Sequence, residues 1–214
     1  MAEATFERSV FINCPFDSDY SAILQAILFC IVDLGFFPRI ATERNDSAES
    51  RLEKICSLVE ACRFSIHDLS RAQASKKGEY YRLNMPFELG IDYGFRRYSG
   101  AGGNRKRILI LEEKPYRYRI ALSDLSGCDV ENHGADFQVA IRKVRNWLVS
   151  EAGIAAVAST RIVTRYTDFQ GWYYERQLQQ GFSDEDIKDY PTKELMDAMM
   201  EWVEIGRPIL AEEP

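Results

Sequence analysis

The sequence predicts an α/β fold in which a parallel sheet of about five strands is flanked by helices. Short apolar runs alternate with segments of helical period from residue 9 to about residue 150, which is the pattern of strands joined by crossover helices. Beyond about residue 154 only helical patterns occur. We therefore expect an α/β domain over residues 1–154 and a C-terminal helical extension over residues 155–214.

The first strand and helix are marked by clear boundary residues. Residues 9–14 form an apolar run that Pro15 ends, and an uncharged helical segment continues to about residue 34. Gly35 stands where a helix C-cap belongs, and residues 36–41 predict the second strand.

The next two helices and the third strand follow from capping signals and period. Residues 46–49 have the spacing of a capping box and predict the start of a helix. Residues 64–68 predict a short strand, and Asn84 with Pro86 predicts another helix. We expect one apolar stripe to form the buried face of that helix: Phe87, Ile91 and Phe95.

The remaining elements are predicted by composition and period. Residues 99–104 are rich in glycine and predict a loop, residues 107–112 give the clearest strand, and residues 139–148 are helical. In the extension, residues 169–180 and 192–205 have helical patterns.

Composition excludes several classes of protein. The chain has 214 residues, 46% of them hydrophobic and 28% charged, which suffices for a substantial core. Its formal net charge of −6 argues against bulk binding of nucleic acid. The most apolar run, residues 21–32, is shorter than the roughly 20 residues that span a bilayer. No signal-peptide pattern occurs at the N-terminus, so we expect a cytoplasmic protein without a membrane span.

Cysteine and histidine content argues against metal centres. The five cysteines include no C-x-x-C pair, and the chain has only two histidines. We therefore expect reduced thiols and no metal site, with Cys14 and Cys62 as small core residues.

Glu88 is the foremost candidate for chemistry. Ligands of open parallel sheets gather at the carboxyl ends of the strands, where residues 13–17, 43–49 and 67–70 and the loop after Leu111 should lie. Glu88 interrupts the otherwise apolar start of the helix that begins near Asn84 at the same edge. The helix dipole favours its anionic form, whereas burial opposes ionisation. A glutamate that is solvated, or that only satisfies the helix dipole in a first turn, remains the alternative.

Three further polar residues have a functional and a structural interpretation. Asp92, one turn after Glu88, suits a ligand hydroxyl, although a surface acid is the favoured interpretation. His67 is a candidate acid or base, but a hydrogen-bonded structural histidine is favoured because no nucleophile signature accompanies it. His133 is expected to be part of a loop.

Two segments suggest phosphate binding less strongly. Residues 100–103 (GAGG) follow a helix and precede a strand. A phosphate-binding glycine loop instead follows a strand and precedes a helix, so a flexible connection is expected here. Residues 116–119 (YRYR) suit contact with phosphates or bases, or an exposed strand edge.

Five short segments stand out together: 11–17 (FINCPFD), 38–39 (PR), 46–51 (DSAESR), 62–70 (CRFSIHDLS) and 84–90 (NMPFELG). They resemble a family of small bacterial TIR-like (Toll/interleukin-1 receptor-like) proteins. The helix that contains residues 84–90 and the strand at residues 107–111 also look like those of the nucleoside 2-deoxyribosyltransferases. The resemblance covers residues 9–150 and implies a flavodoxin-like sheet with a catalytic glutamate on a helix at its edge.

The resemblance implies N-glycosidic chemistry with Glu88 as the catalytic glutamate. Enzymatic TIR domains cleave NAD+ between nicotinamide and ribose, some forming cyclic ADP-ribose isomers, and bacterial ones serve anti-phage defence or signalling. One ionised carboxylate suits this reaction because the ribose becomes oxocarbenium-like and nicotinamide leaves as a neutral molecule. NAD+ is then the substrate, and no cofactor is expected.

The other residues of the edge receive substrate-binding roles from the resemblance. Arg39 and Arg51 are expected to hold the pyrophosphate, and Phe16 to stack on a base. The remaining expected contacts shape the first loop or meet ribose hydroxyls: Phe11, Asn13, Pro15, Asp17, Asp46, His67, Asp68 and Asp92.

Two other functions stay open. The protein is alternatively a nucleoside 2-deoxyribosyltransferase or N-glycosidase. It is otherwise a non-catalytic TIR-type assembly or nucleotide-sensing module that pairs with itself or with a defence-system partner. Residues 76–119 hold 11 basic residues against 5 acids, so a basic rim that attracts an anionic dinucleotide is expected beside Glu88.

Overall fold

The computed structural model describes residues 5–44, 46–71 and 83–209. Its centre is a sheet of five parallel strands in the order β2-β1-β3-β4-β5, which confirms the predicted α/β fold. This strand order is that of flavodoxin-like sheets. The strands are β1 (Ser9–Asn13), β2 (Phe37–Ile40), β3 (Phe64–Asp68), β4 (Arg107–Glu112) and β5 (Val130–Asn132).

Helices cover both faces of the sheet. The first and fifth helices lie on one face, and the second and third lie on the other. The α-helices are α1 (Ser21–Asp33), α2 (Arg51–Ala61), α3 (Asn84–Tyr98), α4 (Gly100–Arg105), α5 (Phe137–Ala152), α6 (Ser159–Gln179), α7 (Asp184–Lys188) and α8 (Thr192–Glu204). The described residues also form short 3-10 helices at Phe6–Arg8, Ser18–Tyr20, Ala41–Glu43, Arg117–Ile120 and Ser123–Gly127.

The alternation of side chains in β1 decides which polar residues reach which face. Val10 and Ile12 pack in the cluster that contains α1, whereas Phe11 packs against α2. Because successive side chains of a strand point to opposite faces, Asn13 lies on the same face as Phe11. β3 pairs with β1 in parallel, and Asn13 lies opposite His67. Both side chains therefore lie at the carboxyl edge of the sheet, beside α3.

α1 is uncharged until its last residue because it is buried between the sheet and the C-terminal helices. Its Phe29 ring packs against the rings of Tyr166 and Phe169 of α6 and Trp202 of α8, with centroids 5.3 to 5.6 Å apart. Asp33, at the end of α1, accepts hydrogen bonds from Arg165 and Arg207. The C-terminal helices thus share a core with the sheet, and the division at residue 154 stays a prediction.

The start of α2 differs from the prediction. The helix begins at Arg51, and the Ser50 hydroxyl accepts the Glu53 N–H at 3.5 Å. Asp46 instead accepts the N–H of Ala48 at 2.9 Å, so its carboxylate stabilises a turn before the helix.

The predicted buried stripe of α3 is wrong. Phe87 is 60% exposed, and Ile91 and Phe95 are only partly buried. The face toward the sheet carries Met85, Glu88, Leu89 and Asp92. Polar side chains at the strand ends offer partners for the acidic residues of this face, which an apolar pattern alone does not reveal.

Three other segments also differ from the predictions. Residues 100–105 form α4 rather than a loop, and residues 117–120 form a 3-10 helix rather than a strand edge. The sequence pattern does not predict β5, because the strand has only three residues and all three are half-buried. In the part of the chain that the structure describes, no helix has the length and apolar character to cross a membrane.

Candidate active site at the carboxyl edge of the sheet

Glu88 is buried in the second turn of α3 at the carboxyl edge of the sheet. The residue is only 4% exposed, so the alternative of a solvated glutamate is wrong. Its Oε1 lies 3.6 Å from Nη2 of Arg51, the first residue of α2. Burial raises the pKa of Glu88, and the charge and hydrogen bond of Arg51 oppose that rise. Among the described residues, the site therefore contains a carboxyl group with one half-exposed cation beside it.

The thiol of Cys14, in the loop after β1, is buried near three carboxylates. The pKa of Cys14 is raised well above its usual value, chiefly by burial and then by the charges of Asp68, Glu88 and Asp17. Cys14 therefore stays a thiol and is unsuited to nucleophilic attack, as predicted for a core cysteine. Glu88 and Asp68 thus both lie near enough to Cys14 for their charges to act on its thiol.

A buried chain of hydrogen bonds links β1, β3 and α3. The Asn13 amide donates to the carbonyl oxygen of Met85 at 2.9 Å and faces Nδ1 of His67 at 3.0 Å. Since the amide nitrogen is the donor, His67 Nδ1 accepts and its Nε2–H donates to Asp92 at 2.9 Å. His67 is thus buried and hydrogen-bonded through both ring nitrogens, and its structural role stays a prediction.

Asp92 is buried rather than a surface acid, which corrects the favoured interpretation. Its second carboxylate oxygen lies 2.9 Å from Nζ of Lys106, which also donates to the carbonyl oxygen of Val59 at 2.5 Å. Burial alone raises the pKa of Asp92, but the hydrogen bond from His67 and the Lys106 ammonium outweigh it and leave the pKa lowered. Asp92 is thus fixed as an anion within the core.

Asp68 is the centre of a second buried network. Its carboxylate accepts the Tyr20 hydroxyl at 2.6 Å, His133 Nε2 at 3.0 Å, and the backbone N–H of Ser70 at 2.9 Å. Burial opposes ionisation of Asp68, yet these hydrogen bonds leave its pKa lowered. His133 lies in the loop between β5 and α5, as predicted, but it is buried there with 1% of its surface exposed.

Ser70, His133 and Asp68 contact one another but do not form a nucleophilic triad. His133 Nδ1 accepts the backbone N–H of Ala135 at 3.1 Å, so the ring proton is on Nε2. Both the Ser70 hydroxyl, at 3.1 Å, and the Asp68 carboxylate face that same nitrogen. A triad uses the two nitrogens separately, one for the serine and one for the carboxylate. This arrangement is therefore structural.

The other expected substrate contacts divide into accessible and occupied groups. Phe16 is 40% exposed at the edge, and Asp17 pairs with Arg71 at 2.7 Å. Phe11 and Pro15 are buried, with the Phe11 ring edge-on to His67.

Two predicted contacts make local interactions away from Glu88. Arg39 lies on the edge strand β2 and pairs with Glu43 at 2.6 Å. Asp46 accepts its hydrogen bond within the turn before α2. Of the two arginines predicted to hold pyrophosphate, Arg51 is the one beside Glu88.

Glu112 is a buried carboxyl group that the sequence analysis did not single out. It ends β4, is 1% exposed, and its Oε2 has no hydrogen-bond partner among the described residues. Burial raises its pKa to about 7, against the effects of the backbone amide of Tyr118 and the charge of Arg117, while Asp68 raises it further. An acid at the end of an apolar strand was the available signal.

Two cavities lined by described residues lie away from Glu88. A cavity of about 360 Å³ lies at the end of α3, and one of about 450 Å³ lies at the amino end of β4. The described residues contain no cluster of three metal-ligating side chains.

Comparison with protein-family models, curated proteins and solved structures found no match. The geometry therefore carries the functional argument.

Proposed function

We propose that the protein is an N-glycosidase that cleaves the nicotinamide–ribose bond of NAD+, with Glu88 as its catalytic carboxylate. The observation that carries this proposal is the contrast between Glu88 and its neighbours. Asp68 and Asp92 are each fixed by several buried partners, whereas Glu88 has one ion pair at 3.6 Å among the described residues. Glu88 is thus the acid of this group that retains hydrogen-bonding capacity for a ligand.

A single carboxylate suits cleavage of a pyridinium glycoside. The ribose develops positive charge as the bond breaks, and a buried anion stabilises that charge more strongly than a solvated one. Nicotinamide leaves as a neutral molecule, so the reaction needs no general acid. The Arg51 guanidinium favours the ionised form of Glu88 and, being half exposed, also suits a bidentate contact with the pyrophosphate.

The resemblance to bacterial TIR-like proteins supports a role in anti-phage defence or signalling. It also supports hydrolysis or cyclisation of NAD+ by a self-associating or partner-bound protein in the cytoplasm. The exposed Phe16 ring at the same edge supplies a stacking surface for a base.

The test is release of nicotinamide from NAD+ by wild-type protein and by Glu88→Gln, measured by chromatography. We expect Glu88→Gln to lose about 100-fold or more of the activity, because the amide carries no charge to stabilise the ribose cation. Glu60→Gln, an exposed position on α2, is the matched control and should retain activity. Full nicotinamide release by a folded Glu88→Gln protein excludes Glu88 from the chemistry.

A nucleoside 2-deoxyribosyltransferase or nucleoside N-glycosidase is the second candidate. The presence of only Arg51 beside Glu88, among the residues described, suits a substrate with little negative charge. Incubation with a nucleoside panel separates the two candidates: base release from nucleosides, with NAD+ left intact, assigns the second function.

A further inference from the structure

α3 ends in two adjacent arginines that are not neutralised by the described residues. Arg96 and Arg97 are exposed, and the structure shows neither in an ion pair or a side-chain hydrogen bond with the described part of the chain. Nearby arginines are held differently: Arg105 pairs with Glu7 at 2.5 Å, and Arg107 pairs with Glu151 at 3.0 Å. The guanidinium groups of Arg96 and Arg97 are therefore available to a ligand.

The two arginines share a cavity whose described lining offers hydrogen-bond donors and no acid. The cavity has a volume of about 360 Å³, and the described residues that line it are Arg96, Arg97, Tyr93 and Asn104. Two guanidinium groups, a phenol and a side-chain amide all donate hydrogen bonds, and these four residues include no carboxylate. A ligand that fits must supply several acceptor oxygens and negative charge.

α4 completes this cavity because residue 103 is glycine. A Cβ at Gly103 would lie 2.5 Å from the carbonyl oxygen of Phe95 and 2.7 Å from that of Arg96. Any larger residue would push α4 away from the last turn of α3. Gly103 thus keeps the adjacent Asn104 beside the two arginines, which gives the glycine-rich segment a structural purpose at a cavity.

We infer that this cavity binds the phosphate group of a small phosphorylated ligand such as a nucleoside diphosphate. Planar guanidinium groups bind phosphate oxygens bidentately. The Tyr93 ring is 55% exposed beside them and offers a stacking surface for a base. The attraction of cations to the carbonyl end of a helix explains one arginine there, but not the shared cavity with Asn104 and Tyr93.

The surroundings favour a small ligand over a nucleic-acid strand. The adjoining cavity shares Arg96, and its acids Glu131 and Glu151 pair with Lys143 and Arg107 of the same lining. Among the described residues of that lining, Arg96 is thus the one cation left for a long phosphate backbone, whereas a mononucleotide needs no cation beyond the first cavity.

This site is separate from the proposed catalytic site. Glu88 and Arg96 are eight residues apart on α3, which is about 12 Å along a helix axis. Glu88 lies at the carboxyl edge of the sheet and the arginines lie toward the start of β4. The inference therefore does not depend on the proposed function.

The test is isothermal titration of the full chain with pyrophosphate and with ADP. We expect Arg96→Gln/Arg97→Gln to bind both probes roughly tenfold or more weakly than wild type, because charged hydrogen bonds to the phosphate are lost. Arg142→Gln/Arg161→Gln removes the same charge from exposed positions outside the cavity and should bind as wild type does. Gly103→Ala should also weaken binding while both arginines remain.

Four results would overturn the inference. They are absence of binding of either probe to wild type, undiminished binding by Arg96→Gln/Arg97→Gln, equal weakening in the control double variant, and tighter binding of a single-stranded oligonucleotide than of ADP. Glu88→Gln should bind both probes at this site as wild type does. Failure of this inference, seen in binding, is therefore distinguishable from failure of the proposed function, seen in nicotinamide release.

Discussion

The buried carboxyl group of Glu88 has a counterpart in Glu112, whose replacement by glutamine should stabilise the protein at alkaline pH. Glu112 has a pKa of about 7 in the folded protein against 4.5 for an unperturbed glutamate, because burial disfavours its ionised form. Between these two values the folded state binds more protons than the unfolded state. The free energy of unfolding therefore falls as pH rises through this window.

The magnitude follows from the difference of the two pKa values. Each pKa unit corresponds to about 1.4 kcal/mol, so the complete penalty for Glu112 is about 3 kcal/mol. The side chain is 1% exposed, so solvent screens this penalty little. Glutamine has the same shape and no charge to desolvate. Glu112→Gln should therefore raise the free energy of unfolding by about 3 kcal/mol at pH 8 and by less than about 1 kcal/mol at pH 5.

Urea unfolding followed by tryptophan fluorescence at pH 5, 6, 7 and 8 measures this difference. Glu60→Gln, at an exposed position of α2, is the control and should show no trend with pH. A stability difference for Glu112→Gln that stays constant between pH 5 and pH 8 would refute the reasoning. It would show that Glu112 ionises equally easily in the folded and unfolded states.

Two further predictions concern the core. Asp92→Asn and Lys106→Met should each destabilise the protein by about 3–5 kcal/mol, since each leaves a buried charge without its partner. In urea unfolding the double variant should lose clearly less than the sum, and strict additivity contradicts the pairing. Trp202→Ala should lower the free energy of unfolding by about 3–5 kcal/mol, because the ring packs on Phe29 of α1. A loss below about 1 kcal/mol would show that α8 unfolds independently of the sheet.

The strands and most helices were predictable because they depend on local patterns. β3 and β4 have the residues that the apolar runs predicted, and α8 begins at Thr192, as its period indicated. α2 was misplaced because Asp46 matches a helix cap in sequence but forms a turn in the structure. Local hydrogen-bonding groups of this kind serve turns and helix starts equally well.

The polar interior was not predictable from local pattern. Asp92 is predicted at the surface, whereas the structure buries it beside a histidine and a lysine. Its partners, His67 and Lys106, are 25 and 14 residues away in the chain, and their convergence depends on the packing of α3 against β3 and β4. His133 lies in a loop as predicted, but its burial was not predictable because its partner Asp68 lies 65 residues earlier.

Basic residues that are clustered in the sequence do not all lie near Glu88 in the structure. Residues 76–119 predict one basic rim around Glu88, and residues 76–82 lie outside the described part. Among the described basic residues of this segment, Lys106 forms a buried ion pair with Asp92, while Arg96 and Arg97 lie at the far end of α3. Arg96 lies about 12 Å from Glu88 along the axis of α3, beyond the Debye length of about 8 Å in physiological salt. Screening therefore weakens the effect of the two arginines on the potential at Glu88, where Arg51 of α2 is the cation that the described residues supply.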